Sequence, residues 1–300
     1  MKDVSDQRRW GFVQRLEFIE FRLFWDGQIN RADIIEKFRI SEPQASADLT
    51  AYQSIAPGNI EYDKSRKTYV ASAKFKPAVT HPTARHYFSQ LRALDDKVLT
   101  RDETWLGTMP PYAVVPLVRR RLDERKLRTI LQVIRSSQAI HVEYQSFSKP
   151  EATQRWITPH ALGFDGFRWH LRAWCDERRD FLDFVLARLL RVHGTRPGEI
   201  NAHLDRAWHT MITFRLGPNP KLELAQRRAI ELDYGMRNGC VEVSTRECMS
   251  YYLERQLGLD LDPVLVPPAR QQLILLNRDE VEATRHPSER SPLESSVSHS

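Results

Sequence analysis

The sequence predicts an α+β chain of several domains: helices and a hairpin first, a β-rich centre, and a mixed C-terminal part. Three observations carry this reading. Apolar residues recur at helical spacing from Trp10 to Phe24. Alternation takes over around Ile140, Val142 and Tyr144, as in a half-buried strand. With 300 residues, 41% hydrophobic and 28% charged, the chain outgrows one ordinary core while keeping a globular composition.

Several function classes are excluded early. No apolar run approaches the ~18 residues of a membrane span, and Met1 to Asp6 lacks the apolar core of a signal peptide, so a cytoplasmic protein with no membrane partner is expected. Cys175, Cys240 and Cys248 form no C-x-x-C pair, which argues against zinc or a disulfide framework. No metal-protease, Walker or dinucleotide fingerprint is present, so no metal and no cofactor are predicted. Ser146, His160 and Asp183 suggest a hydrolase only superficially: there is no G-x-S-x-G elbow and no base beside the serine. No catalytic residue is assigned and no enzyme is expected. The net charge of +6 is compatible with nucleic acid but does not establish it.

In the N-terminal part, Trp10, Phe12, Val13, Leu16, Ile19, Leu23 and Phe24 predict a first helix of about four turns with a broad apolar face. After a turn at Gly27 to Asn30, a second helix runs from Arg31 to Phe38 with Asn30 as N-cap. Ser41 caps a third, in which Pro43 is tolerated because first-turn amides have no helical partner. Ala45, Leu49 and Tyr52 form its inward stripe and leave Gln44, Ser46, Thr50 and Gln53 on or near the outward face. This is the pattern of a helix-turn-helix whose last helix enters the major groove. Asn59 to Asp63 and Thr68 to Val70 then alternate as strands around Lys64, Arg66 and Lys67, like the basic wing of a winged helix resting on phosphates. An interaction module of the same shape is the alternative.

Pro77 and His81-Pro82 mark a boundary, His86 to Leu99 reads as helical, and Thr108 to Pro111 breaks it. The Arg119-Arg120-Arg121 run suits a solvated linker face, with DNA contact as the alternative. Leu127, Ile130, Leu131 and Ile134 predict an amphipathic helix leading into the β-rich centre.

In the centre, Ile140 to Tyr144, Arg155 to Leu162, Arg168 to Trp174 and Phe181 to Leu189 read as strands. Asp165-Gly166 predicts a two-residue hairpin, because that pair favours positive φ. Strict register would then put His160 opposite Leu171 and turn Arg172 to the other face; only a β-bulge or a site at the barrel end brings both to one pocket.

Here the chain resembles a WYL-domain protein, through Tyr144-Gln145-Ser146, Arg155-Trp156-Ile157-Thr158-Pro159-His160, Trp169-His170-Leu171 and Phe184 to Leu189. The middle tyrosine of the eponymous triplet is His170 in this chain. Over nearly its whole length the chain is similar to bacterial WYL regulators of phage-defence loci, the BrxR/CapW type. The resemblance implies a winged helix-turn-helix at residues 1–78, a helical linker at 79–136, a WYL domain with an Sm-like (SH3-like) β-barrel at 137–198, and a C-terminal α+β dimerisation extension at 199–282. It also implies an effector pocket lined by Tyr144, Ser146, His160, Arg172 and Arg188, with a nucleotide or oligonucleotide as effector. Arginine forks, hydroxyls and imidazole are suited to a phosphate.

In the C-terminal part, Leu222 to Asp233 and Met249 to Leu257 read as helices, Cys240 to Ser244 and Gln272 to Leu276 as strands, and Gly235 and Gly239 as punctuation. Residues 283–300, polar and serine-rich from Pro287, read as a disordered tail. The expectation is a homodimeric repressor of a phage-defence operon, binding a pseudopalindromic double-stranded operator under effector control. The alternatives are a ligand-activated activator and a single-strand nucleic-acid-binding module.

Overall fold

The protein is described by a computed structural model over residues 4–116, 118, 120–262 and 264–286. It divides into two compact units, Met1–Pro116 and Leu117–Ser300. The predicted tail from Pro287 and the first arginine of the 119–121 run lie outside the described residues.

In the first unit, α1 (Val4–Asp26) is longer than its apolar spacing predicts and packs on two sides. Leu16, Ile19 and Leu23 join Ile34, Ala45, Leu49 and Tyr52 in one core, while Phe21 turns to a second with Leu91 and Leu106. That double duty widens the stripe, but Trp10, Val13 and Phe24, read as part of the face, are exposed. The Gly27–Asn30 turn contains a short strand, β1 (Gln28–Ile29), absent from the sequence reading. Next, α2 (Arg31–Phe38) has the predicted Asn30 cap, reinforced reciprocally by Asp33. Arg39 adopts φ 52° to end it, and Ser41 caps α3 (Glu42–Ile55) as expected. The hairpin is β2 (Ile60–Asp63) and β3 (Thr68–Ala71), and the sheet order is β1-β3-β2. Helix α4 (Ala84–Asp95) ends before the predicted Leu99.

One buried group organises this unit. Glu20 is fully buried and accepts the amides of Ala78, Val79 and Thr80 at 2.6, 2.9 and 2.6 Å and the Tyr52 hydroxyl at 3.1 Å. A buried carboxylate is tolerated when its lone pairs are filled in this way.

In the second unit, α5 (Glu124–Arg135) lays Ile130 and Val133 on the central sheet. The strands are β4 (Gln138–Tyr144), β5 (Thr153–Phe164), β6 (Trp169–Cys175), β7 (Asp180–Val185) and β8 (Leu189–Pro197), in the order β7-β6-β5-β4-β8. The run read as one strand from Phe181 to Leu189 is broken by a 3-10 turn, Leu186–Arg188, and continues as β8. The sheet's two end strands, β7 and β8, are not paired with each other among the described residues. Ile140, Val142, Ile157, Leu171, Ala173 and Cys175 fill the core on one face of it.

The chain then passes through a 3-10 turn (Ala202–Leu204) and a one-turn helix α6 (Arg206–His209) into a second sheet. Its strands are β9 (Met211–Pro218), β10 (Val241–Arg246) and β11 (Leu273–Leu275), with β9 central. Helices α7 (Leu224–Asp233), α8 (Glu247–Leu257) and α9 (Arg278–Arg285) accompany it. Alternation along β9 buries Ile212, Phe214 and Leu216. The structure puts strand at β10 and β11 and helix at α7 and α8 where the sequence predicts them; β9 and α9 were not read from it.

Candidate functional site

Helix α3 presents Gln44, Thr50 and Gln53 to solvent, with Ser46 half-buried. The arrangement follows from 3.6-residue periodicity, since Ala45, Leu49 and Tyr52 are buried. Buried Asp48 lies on the same helix and is held by Arg15 of α1 at 2.6 Å. Asp48 also accepts the Gln44 amide at 3.0 Å, so the aim of Gln44 is set by a partner one turn along. The Thr50 hydroxyl donates to the Ser46 carbonyl, and Arg31 reaches the Ser46 hydroxyl at 3.4 Å.

Lys64, Arg66 and Lys67 are all exposed at the β2–β3 turn. Asp63 shapes that turn, accepting the Ser65 hydroxyl and the Ser65 and Arg66 amides. The Ser65 hydroxyl bond and then the Arg66 amide hold its carboxyl below the usual range. Lys67 takes the left-handed φ of 50° that closes the turn. Arg66 also bonds Gln28 of β1, the strand the sequence reading passed over.

The five residues of the expected pocket do not gather at one place. Tyr144 faces the core, where its ring meets Phe184 edge-on and its hydroxyl accepts the Val185 amide at 3.2 Å. Ser146 and Arg188 lie close by, where β4 leaves the sheet. Gln145 donates its amide to the Arg188 carbonyl, the Arg188 guanidinium sits 5.5 Å over Phe147, and the Ser146 hydroxyl accepts the Lys149 amide. Arg155 belongs to the same end and was quoted only as part of a motif. It pairs with Val142 and so points inward, its guanidinium 5.7 Å from the Tyr144 ring and its Nε buried without a hydrogen-bond partner.

His160 and Arg172 occupy the opposite face of the sheet. Phe164 pairs with Trp169, so the loop spans Asp165 to Arg168 instead of two residues. Leu162, not His160, therefore opposes Leu171. The register then shifts between Pro159 and Ala161, leaving His160 as the extra residue of a bulge. That irregularity is what the sequence reading required for His160 and Arg172 to meet, and they do meet, on a carboxylate. Arg172 donates through Nε and Nη2 to Asp205 at 2.7 and 2.9 Å, and His160 Nε2 lies 2.9 Å from the same group.

Burial alone would raise the Asp205 carboxyl, but hydrogen bonds from Arg172 and His160 outweigh it and hold it well below the carboxylate range. Burial raises Asp183, which lies 3.3 Å from Arg172 and accepts the Tyr252 hydroxyl. Nearby, His170 and Arg168 bind Asp165 at 2.8 and 3.0 Å. Burial opposes ionisation there too, yet the His170 bond and the amides of Phe167 and Arg168 bring Asp165 down to about 2. Burial pushes the neighbouring Cys248 thiol up to about 12, which keeps it protonated and unreactive.

Asp205 and Tyr252 were not anticipated, and Asp183 was named only as the acid of a dismissed hydrolase triad. Asp205 lies 45 positions from His160, and its only local signal is its capping of α6 through the Trp208 amide. Among the described residues no group of three His, Cys, Asp or Glu side chains is placed to hold a metal, and no helix is long and apolar enough to cross a membrane.

Three family descriptions match successive parts of the chain. Residues 11–93 match the BrxR transcriptional regulator winged helix-turn-helix domain, residues 125–193 the WYL domain, and residues 211–281 the BrxR C-terminal dimerization domain. Among curated proteins, a DNA-binding transcriptional repressor CapW of Escherichia coli (strain KTE188) is 42% identical over 92% of both chains. CapW of Stenotrophomonas maltophilia is 40% identical over 92% of this chain and 93% of its own. CapW of Pseudomonas aeruginosa is 41% identical over 91% of each.

Proposed function

Because this chain belongs to the BrxR/CapW family of WYL transcriptional regulators, we propose that it is a homodimeric, sequence-specific DNA-binding repressor and not an enzyme. The observation that carries this reading is the polar outward face of α3 beside the exposed cations of the β2–β3 turn. In this reading Gln44, Ser46, Thr50 and Gln53 face base edges, and Lys64, Arg66 and Lys67 rest on phosphates. A dimer with two such readers matches a pseudopalindromic operator.

The finer parts of the proposal rest on the family resemblance. They are division of the chain at residues 78, 136, 198 and 282, a cytoplasmic location, control of a phage-defence operon, and an Sm-like barrel for the central sheet. The effector is a nucleotide or nucleic-acid fragment bound in the WYL domain. His160 and Arg172, which share a face, receive its anionic group; Tyr144, Ser146 and Arg188 make a second, more open group. Effector control requires different affinity for two arrangements of the protein, since equal affinity shifts nothing.

The test is a mobility shift against the protein's own upstream DNA, with saturable binding that weakens steeply with salt as counterions are released. Gln44→Ala with Ser46→Ala relaxes sequence preference. Lys64→Ala or Lys67→Ala weakens all duplexes alike and lowers the salt slope by about one each. Equal affinity for random duplexes would sink the proposal.

A second reading, a single-strand-binding module, draws on one observation. Phe164 and Trp169 lie with tilted rings 5.0 Å apart on an exposed hairpin whose tip is Phe167. Bases stack on such platforms. Trp169→Ala with no loss of single-strand affinity eliminates it.

A further inference from the structure

The anion-binding site on the outer face of the central sheet is filled by the chain itself. Arg172 meets both oxygens of Asp205 with a two-pronged fork, and His160 supplies a further contact. Two guanidinium N–H groups converging with an imidazole are also what a terminal phosphate takes. Asp205 is buried and occupies the Arg172 Nε and Nη2 donors.

The position of Asp205 in the chain gives this contact its meaning. It belongs to no strand of the sheet; it caps α6, the short helix leading into the C-terminal domain. Its neighbour Arg206 grips that domain, donating to Glu247 of α8 at 2.6 Å and to the Thr284 and Arg285 carbonyls of α9 at 3.3 Å each. Trp208, one turn on, packs edge-to-face on His160 and carries the Arg246 guanidinium 4.3 Å over its ring. Successive residues thus fasten α6 to the central sheet on one side and to the dimerisation-type domain on the other.

We propose that Asp205 is a built-in competitor for the effector. A terminal phosphate occupies the Arg172–His160 site only when Asp205 leaves it, and that departure frees α6 and shifts the C-terminal domain against the sheet. The proposal rests on the reading that the effector's anion binds at His160 and Arg172. It supplies the differential affinity that control requires: in the closed arrangement the site is taken, in the open one it is available. A phosphomonoester, with a charge near −2, has the advantage over a single carboxylate at a guanidinium. Arg172 and His160 hold the Asp205 carboxyl well below the carboxylate range, so an entering anion must compete with an ionised group.

The test is calorimetry on the full chain with a 5′-phosphorylated dinucleotide and its dephosphorylated twin. Asp205→Asn keeps an acceptor for the Trp208 amide and removes the charge. It should bind the phosphorylated dinucleotide about tenfold or more tightly than wild type, the worth of one charge-assisted contact, with no gain for the twin. Arg172→Ala should abolish the binding. In wild type, hydrogen exchange over residues 202–209 and 247–257 should accelerate when the phosphorylated dinucleotide is added.

If Asp205→Asn binds no more tightly, and wild-type binding is lost with Arg188→Ala but kept with Arg172→Ala, the competitor is refuted while an effector site elsewhere in the WYL domain survives. If neither dinucleotide binds any form, the effector reading falls with it. Should Asp205→Asn not fold, unchanged exchange over 202–209 in saturated wild type refutes the proposal alone.

Discussion

Replacing Glu20 by glutamine exchanges one oxygen for an amide nitrogen and removes a charge that α1 buries beneath the segment leaving the wing. Oε2 accepts the Ala78 amide and the Tyr52 hydroxyl, and Oε1 accepts the Val79 and Thr80 amides. Glutamine keeps an acceptor for Val79 and Thr80, but its NH2 group then faces the Ala78 N–H, donor against donor. The orphaned amide costs ~1–3 kcal/mol, and loss of charge assistance at the surviving bonds adds ~1 kcal/mol. Tyr52 already accepts from Asn59, so its hydroxyl hydrogen is left without an acceptor as well. Removing a buried charge recovers part of its desolvation penalty, which brings the net destabilisation to ~3 kcal/mol. For the Met1–Pro116 unit that corresponds to a melting temperature lower by about 12 °C, at ~4 °C per kcal/mol. Differential scanning calorimetry of the full chain reads the effect as a shift of one transition, the other staying in place. A loss below ~1 kcal/mol would refute the view that Glu20 organises this unit. Because the donors come from residues 78–80, the variant should also lose affinity for all DNA duplexes in step with its unfolded fraction, with no change in sequence preference.

Three further substitutions probe the second unit. Asp165 has a folded value of about 2, below the ~3.9 of an unfolded aspartate, so its stabilisation is fully present above that value and fades as pH falls toward 2. The stability gap between wild type and Asp165→Asn, read by urea unfolding, should therefore be constant above about pH 5 and narrow below about pH 4; a gap that widens on acidification contradicts the assignment. At Gly198 an added Cβ would lie 2.4 Å from the Ser137 carbonyl oxygen, whereas at Gly163 it would meet the flexible Met249 sulfur at 2.8 Å. Gly198→Ala should cost ~1–3 kcal/mol because backbone must move, and Gly163→Ala less than ~1 kcal/mol as Met249 swings aside; equal urea midpoints for the two would overturn this distinction.

The elements that could be read in advance are those whose cause is local. Asn30, Ser41 and the stripe Ala45, Leu49, Tyr52 specify two helices and their faces because caps and periodicity act within a few residues. The wing followed from two alternating runs around basic residues. By contrast β1 is too short to carry a period, and it is a strand only because β3 lies beside it. In the centre, Asp165-Gly166 correctly announced a turn, with Gly166 at positive φ, but not the length of the loop. Two residues more in that loop shift every cross-strand pair beyond it.

The sequence by itself determined most helices and strands in their order, the outward residues of α3, the basic wing and, through its resemblance, the family. Tertiary structure alone decided which side chains of the central domain meet. The bulge at His160 puts it on the face of Arg172 and leaves Tyr144 in the core behind. Asp205, which draws His160 and Arg172 together, arrives from 45 and 33 positions away, and the amides that fill Glu20 from 58 to 60. Such partners leave no periodic trace, because a buried charge is satisfied by whatever donors packing brings to it, and packing is a property of the whole fold.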